Sequence, residues 1–282
     1  MTTITQTATT TPTTSTTSTS RTPRRPVRLV DVIKGEWIKF RSVRSTRLTL
    51  VITGLVTIAF GMIFSATAAS GDPAPGPAAL LTDPVELALG AISLSAMIVG
   101  VLGVLLRAGE YSTGLIRTTL AAVGDRLAVL KAKAAVLTGA TAVVMGVATV
   151  VTLWLGQAVY SGDQPTMALT DPDIVGVVLG TTTYVTGIAL IGLALGAILR
   201  STASAIGVLV GGIFIGPQLM NLLPDSFTDV VLKYLPSEAG SAMMSTMSDP
   251  DLLGTGAAYA VFGAWVLGLL GVAGVLLRRQ DA

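Results

Sequence analysis

The sequence contains no cysteine and no histidine, and only 12% of its 282 residues are charged. Without cysteine, the chain cannot form disulfides, zinc–thiolate sites or iron–sulfur clusters. Without histidine, it lacks the commonest metal ligand and the commonest general acid–base, and a Ser–His–Asp triad is excluded. An average soluble domain has about 25% charged residues. With a mean hydropathy of +0.74 and a net charge of +2, the composition predicts a membrane protein and excludes a soluble enzyme, a disordered protein and a nucleic-acid binder.

The first segment differs sharply in composition from the rest. Of residues 1–20, 15 are Ser or Thr, and such a segment cannot bury a core. We therefore predict a disordered Ser/Thr/Pro-rich cytoplasmic tail over residues 1–26 and one membrane domain over residues 27–279.

Six apolar runs follow, and each is long enough to cross a bilayer, which needs about 20 residues. The predicted spans cover residues 48–69, 87–106, 134–160, 174–199, 201–224 and 252–277. A tight turn, Arg200-Ser201-Thr202, joins the fourth and fifth spans. The runs contain no ionisable residue, which argues against a proton- or sodium-coupled transporter and an intramembrane aspartyl protease. Glu86 and Arg107 lie at the ends of the second span, where we expect an interfacial location.

The distribution of basic residues predicts the orientation. If the N-terminus is inside, 17 of the 18 Lys and Arg residues lie on the inner side, and only Lys233 lies outside. The positive-inside rule then places both termini in the cytoplasm. We predict an all-α integral protein of the plasma membrane with six transmembrane helices, N-in and C-in.

Residues 27–47 predict a basic amphipathic helix in the membrane interface, before the first span. At about 100° per residue, an apolar arc forms that includes Trp37 as an interfacial anchor. Glu36 projects into this arc, so its carboxylate needs a partner, either Lys39 or a group from elsewhere in the chain. The candidate residues of this helix are Glu36, Trp37, Lys39, Arg41 and Arg44.

The connection between spans five and six is semi-apolar and is interrupted by Pro236. It predicts short helices that rest on or dip into the outer leaflet, with a plain surface loop as the alternative. Within the spans, the polar residues Ser93, Ser95, Gln218 and Asn221 fit hydrogen bonds between helices. The alternative is a mildly polar substrate path through them.

The chain has no phosphate-binding loop, because none of its five lysines follows a glycine, as Gly-Lys-[Ser/Thr] requires. We therefore predict that the chain is not itself an enzyme and carries no cofactor or metal. The inner segment 107–133 is too ordered in composition for a linker. In it, we expect Glu110 to form charge pairs and Asp125 to cap the third span. Segment 107–133 therefore predicts either a short helix that a soluble partner binds or an ordinary solvated connection between two spans.

Three motifs together resemble the type-2 ABC exporter permease family, most closely its actinobacterial branch. They are EWIKFRSVRSTRLTL at residues 36–50, GEYSTGLIRTTLAAVGDRLAVLKAKAAV at 109–136, and KYLPSEAGSAM at 233–243. The resemblance covers residues 27–279. One departure is Leu115, where many relatives carry a threonine, so a hydroxyl is missing there.

The resemblance implies a permease subunit that moves a hydrophobic or amphipathic substrate by alternating access. Two copies, identical or related, would pair and dock on cytosolic ATPase subunits that bind ATP and Mg²⁺. It also implies an interfacial helix, re-entrant helices before the last span, and a coupling helix between spans two and three. The coupling residues would be Glu110, Tyr111, Gly114, Leu115, Ile116, Arg117 and Thr118.

Two other functions stay open from the residues alone. One is a secondary transporter driven by an ion gradient, which needs an intramembrane carboxylate. The other is a non-transporting membrane component of an assembly or signalling system. All three predict contacts with membrane lipids and none with nucleic acid.

Overall fold

The computed structural model describes residues 28–70, 84–112, 125–160, 171–220, 222, 231–245 and 253–279. Within these ranges the regular elements are helices, without any β-strand. Six helical stretches are long and apolar enough to cross a membrane. The predicted all-α, multi-pass architecture is therefore confirmed, while the tail at residues 1–26 lies outside the described residues.

The helices below are numbered in the order in which they follow one another along the chain. The helices are α1 (Leu29–Ser42), α2 (Arg44–Ala69), α3 (Pro84–Ala88), α4 (Ile92–Ser112), α5 (Arg126–Tyr160), α6 (Pro172–Leu199), α7 (Thr202–Met220), α8 (Pro236–Met244) and α9 (Thr255–Arg279). The middle of α7, at Val210–Ile215, has π-helical hydrogen bonding.

The second and third spans extend furthest beyond the apolar runs that predict them. The second covers Val85–Tyr111 rather than 87–106, and the third begins at Arg126 rather than 134. The third starts there because the Leu127 N–H donates to Asp125 Oδ1 over 2.9 Å, which confirms the predicted cap. Both helices carry charged residues in these extensions, and Arg107, Glu110 and Lys133 among them pair with other side chains of the protein.

The centre of the bundle is the packing of α4 against α6. A Cβ atom added to Gly103 would overlap the Ala189 carbonyl oxygen, and one added to Gly192 would overlap the Gly100 carbonyl oxygen. Glycine is required here because only a missing side chain lets two backbones approach this closely. The glycines of this pair therefore serve packing within the chain.

The turn between α6 and α7 consists of two residues. Arg200 adopts a left-handed conformation, with φ 52°. Ser201 then caps α7, since its Oγ accepts a hydrogen bond from the Ser204 N–H over 3.4 Å. The tight turn predicted at Arg200-Ser201-Thr202 is thus confirmed.

Helix α8 begins at Pro236 and packs against α6. Its Gly240 lies against the ring of Tyr184, and the backbone at Met243 lies against Gly180. This places α8 beside the middle of the 28-residue α6.

Candidate functional site

Five charged side chains meet where α1, α4 and α5 come together. Helix α1 supplies Glu36 and Lys39, and α4 supplies Arg107 and Glu110. Each pair is three residues apart, so its two side chains share one helix face. Lys133, on the third turn of α5, points at both carboxylates.

Four of these side chains form a closed ring of alternating charge, called the ion ring below: Glu36, Lys39, Glu110 and Lys133. The Lys39 ammonium donates to Glu36 Oε1 over 3.0 Å and to Glu110 Oε1 over 2.8 Å. The Lys133 ammonium donates to Glu36 Oε2 over 2.7 Å and to Glu110 Oε1 over 3.0 Å. Each ammonium therefore bridges both carboxylates and joins α1 to α4, while Lys133 also attaches α5.

The ion ring is largely shielded from solvent. Glu36, Glu110 and Lys133 are buried, and only the Lys39 side chain is substantially exposed, at 40%. Burial lowers the pKa of Lys39, but the hydrogen bonds and charges of Glu110 and Glu36 outweigh it, so the pKa lies above its ordinary value. Lys39 therefore stays charged at any physiological pH. Removing one partner would leave a buried charge uncompensated, which typically costs about 3–5 kcal/mol.

Arg107 extends the charged site toward the α6–α7 turn. Its side chain is 0% exposed, and its Nη1 approaches Glu110 Oε2 at 3.5 Å. The guanidinium groups of Arg107 and Arg200 each lie 5.4 Å from the centre of the Tyr111 ring, so the ring contacts two cations. Cation–π contacts of this kind contribute roughly 0.5–2 kcal/mol each. The protein itself buries the Arg107 side chain, while its expected location at the membrane interface stays a prediction.

A smaller cavity of about 280 Å³ lies between the α3–α4 region and α8. It is lined by Ser93 together with Glu86, Ser241 and Ser245, and the Ser245 hydroxyl lies 3.4 Å from Glu86 Oε1.

The residues predicted as a substrate path are not gathered around this cavity. Ser95 is buried, and its Oγ shares a hydrogen bond of 2.7 Å with the Thr57 hydroxyl, which ties α4 to α2. Gln218 lies exposed on α7, and Asn221 is outside the described residues. Ser93 alone of these lines the cavity, so the path stays a prediction.

The predicted interfacial residues divide into two groups. Glu36 and Lys39 belong to the ion ring, while Trp37, Arg41 and Arg44 are exposed. Lys39 and a group from elsewhere in the chain were alternative partners for Glu36, and the structure pairs Glu36 with both, the distant group being Lys133.

Of the predicted coupling residues, Glu110 and Tyr111 take part in the charged site. The others, Gly114, Leu115, Ile116, Arg117 and Thr118, lie outside the described residues. Lys133, Arg107 and Arg200 belong to the site but are not among the residues predicted from the sequence. Lys133 directly precedes the predicted span 134–160, and this position was the signal that could have pointed to it, because a charge buried next to a span needs a partner.

In the ranges that the structure describes, no three His, Cys, Asp or Glu side chains come together as a metal site would require. Comparison with known protein families and with curated proteins gives no match for this chain.

Proposed function

We propose that this chain is the membrane-spanning permease subunit of an ATP-driven ABC exporter. A separate cytosolic ATPase subunit would bind ATP and Mg²⁺, and the permease would move a hydrophobic or amphipathic substrate by alternating access. The observation that carries the proposal is the ion ring, which joins α1, α4 and α5, and whose Glu110 lies three residues before the segment 113–124. That segment holds most of the coupling motif that resembles the family.

The ion ring supports this function because it makes three helix ends move together. Pulling α4 away from α1 would separate Glu110 from Lys39, and pulling α5 away would separate Lys133 from both carboxylates. Each separation leaves a buried charge unpaired, so a force applied at the end of α4 shifts the group as a rigid body. The stack of Tyr111 on Arg200 carries the same motion to α6 and α7.

The proposed orientation has both termini in the cytoplasm of a plasma-membrane protein. The ion ring then lies at the inner face, with the basic residues that the positive-inside rule assigns there. Exposed Trp37 and Ile38 on α1 suit a helix lying in the interface. Helix α8 would enter the outer part of the membrane, since it packs at the level of Tyr184 in the middle of α6.

The test is transport by the reconstituted complex of this chain with its cytosolic ATPase. In inverted vesicles, Glu36→Gln should leave the ATPase bound but reduce ATP-driven transport by about tenfold, because it weakens the contact through which α1 follows Lys133 of α5. The matched control is Asp31→Asn, which removes an exposed carboxylate from the same helix and should transport like the wild type. If no ATPase binds, and if transport continues without ATP, the proposal is wrong.

One observation favours the alternative of an ion-gradient-driven transporter. Glu238 lies on α8, beside the middle of α6, and burial raises its pKa above the ordinary value. A carboxylate that binds a proton within the membrane is the usual mark of proton coupling. Transport that persists after ATP depletion, collapses with an uncoupler and is lost in Glu238→Gln would select this alternative.

A further inference from the structure

A cavity of about 500 Å³ lies beside the ion ring, between α1, α2, α4 and α5. One wall is apolar and comprises Leu102, Leu105 and Leu106 of α4, Phe40 of α1 and Val136 of α5. The three leucines lie within the predicted apolar run 87–106, so we place this wall at the level of lipid chains. The cavity therefore offers an acyl chain a surface of matching polarity.

The other end of the cavity is polar and charged. Its lining there includes Lys39 and Lys133 of the ion ring, together with Ser45, Thr46 and Thr49 of α2. From Leu102 to Glu110, α4 rises about 12 Å, and over that length the wall changes from apolar to ionic. A cavity that is apolar at one end and charged at the other fits an amphiphile better than a wholly apolar molecule.

The four charged side chains of the lining balance one another, since Lys39 and Lys133 pair with Glu36 and Glu110. What this end of the cavity offers an anion is therefore a hydrogen-bond donor rather than an excess of charge. Among the described residues, Lys39 uses two of its three N–H donors, and its side chain is 40% exposed.

The surface around this end is basic, since Arg41, Arg44 and Arg47 are exposed at the α1–α2 junction. Basic residues beside a membrane attract anionic lipids by about 1 kcal/mol each. The basic surface and the polarity of the cavity therefore both favour an anionic amphiphile.

We propose that this cavity binds one anionic glycerophospholipid from the leaflet on the basic side of the membrane. An acyl chain lies along Leu102 and Leu105, and the phosphate lies near Lys39 and Ser45. A lipid in this position packs against α1, α2 and α4 at once and fills the space beside the ion ring. The inference is independent of the transported substrate and of the energy source.

Native mass spectrometry of the full-length protein tests the proposal, with phosphatidylglycerol and phosphatidylcholine as probes. One phosphatidylglycerol should bind at least about fivefold more tightly than phosphatidylcholine, the effect expected from a single ion pair at the surface. Leu105→Trp should abolish this binding by filling the cavity. Leu94→Trp, at a comparably exposed leucine of the same helix that does not line the cavity, should keep it.

A second pair of variants tests the charge without altering the apolar wall. Ser45→Asp places a negative charge at the rim and should lower phosphatidylglycerol binding about fivefold. Ser42→Asp adds the same charge three residues away, at a serine outside the lining, and should have little effect. Because Ser45 is exposed, this pair gives an answer even if Leu105→Trp does not fold.

Three results would overturn the proposal. They are equal binding of the two lipids, unchanged binding in both Leu105→Trp and Ser45→Asp, and displacement of the lipid by glycerol 3-phosphate, which has the phosphate but no chains. The cavity could instead hold a helix of a second copy of the chain. In that case the wild type would be a dimer, and Leu105→Trp would dissociate it without reducing the amount of bound lipid. That result would also contradict the proposal.

Discussion

The Lys133 ammonium donates to the Glu36 carboxylate over 2.7 Å, although 97 residues separate them in the chain. Both side chains are buried, so the contact fixes where α1 lies against α5. Their common neighbour, Glu110, accepts from Lys133 over 3.0 Å and brings α4 to the same point. One buried ammonium thus sets the relative positions of three helices.

The first prediction concerns this pair. Lys133→Met should destabilise the protein by about 3–5 kcal/mol, because it leaves two buried carboxylates with fewer partners. The double variant Lys133→Met with Glu36→Gln tests whether the two residues interact. Glu36→Gln should lower the free energy of unfolding much less in the Lys133→Met background than in the wild type, because the two residues form one contact. Thermal unfolding in detergent measures both. Strictly additive losses would show that the contact does not form.

The second prediction concerns the close packing of α4 on α6. Gly103→Ala should destabilise the protein by about 1–3 kcal/mol, because the new methyl group would overlap the Ala189 carbonyl oxygen. Gly139→Ala on α5 is the control, since its methyl group would have no neighbour within 4 Å in the described part of the chain. It should stabilise the helix by roughly 0.5–1 kcal/mol. Equal melting temperatures for the two variants would contradict the packing.

The third prediction is a pH dependence from Glu238. Burial holds the pKa of this carboxyl above its ordinary value of 4.5 in the folded protein. The folded state therefore binds the proton more tightly than the unfolded state, and its stability falls as pH rises from the unfolded pKa through the folded one. Relative to Glu238→Gln, which cannot ionise, the melting temperature of the wild type should fall as the pH rises above the ordinary carboxyl pKa of 4.5. A constant difference as the pH rises would contradict this burial.

The fourth prediction concerns pairing with a second copy, which the proposed function requires. Gly207 and Gly211 lie one helical turn apart on α7, and a Cβ on either would have no described neighbour within 4 Å. Such a surface permits close approach by another helix. Gly211→Leu should shift the protein from dimer to monomer in size-exclusion chromatography with light scattering. Gly268→Leu, at an equally open glycine of α9, should leave the dimer intact.

The spans were predictable because their apolar runs have the length that a bilayer imposes, and the α6–α7 turn was predictable because only Arg200-Ser201-Thr202 separates two of them. Glu36 was recognised as a residue in need of a partner, since it interrupts an apolar arc. Local spacing pointed to Lys39, which is indeed one of its partners.

The rest of the site depends on how helices rotate and pack, which local spacing does not encode. Lys133 reaches Glu36 only because α5 begins eight residues before its apolar run and turns that face toward α1. Arg107 follows the predicted end of an apolar run, so hydropathy places it at the membrane surface. Its burial comes from neighbours supplied by other helices, including Arg200 across the Tyr111 ring.

The two-residue connection at Arg200 and Ser201 joins the span with the largest buried share, α6, to the span with the smallest, α7. So short a tether prevents α7 from sliding sideways at that end. Any displacement of α7 relative to the bundle must then be angular, with its pivot at Arg200. Its amplitude increases along the helix, so the far end near Met220 would sweep the widest arc while the end beside the ion ring stays in place.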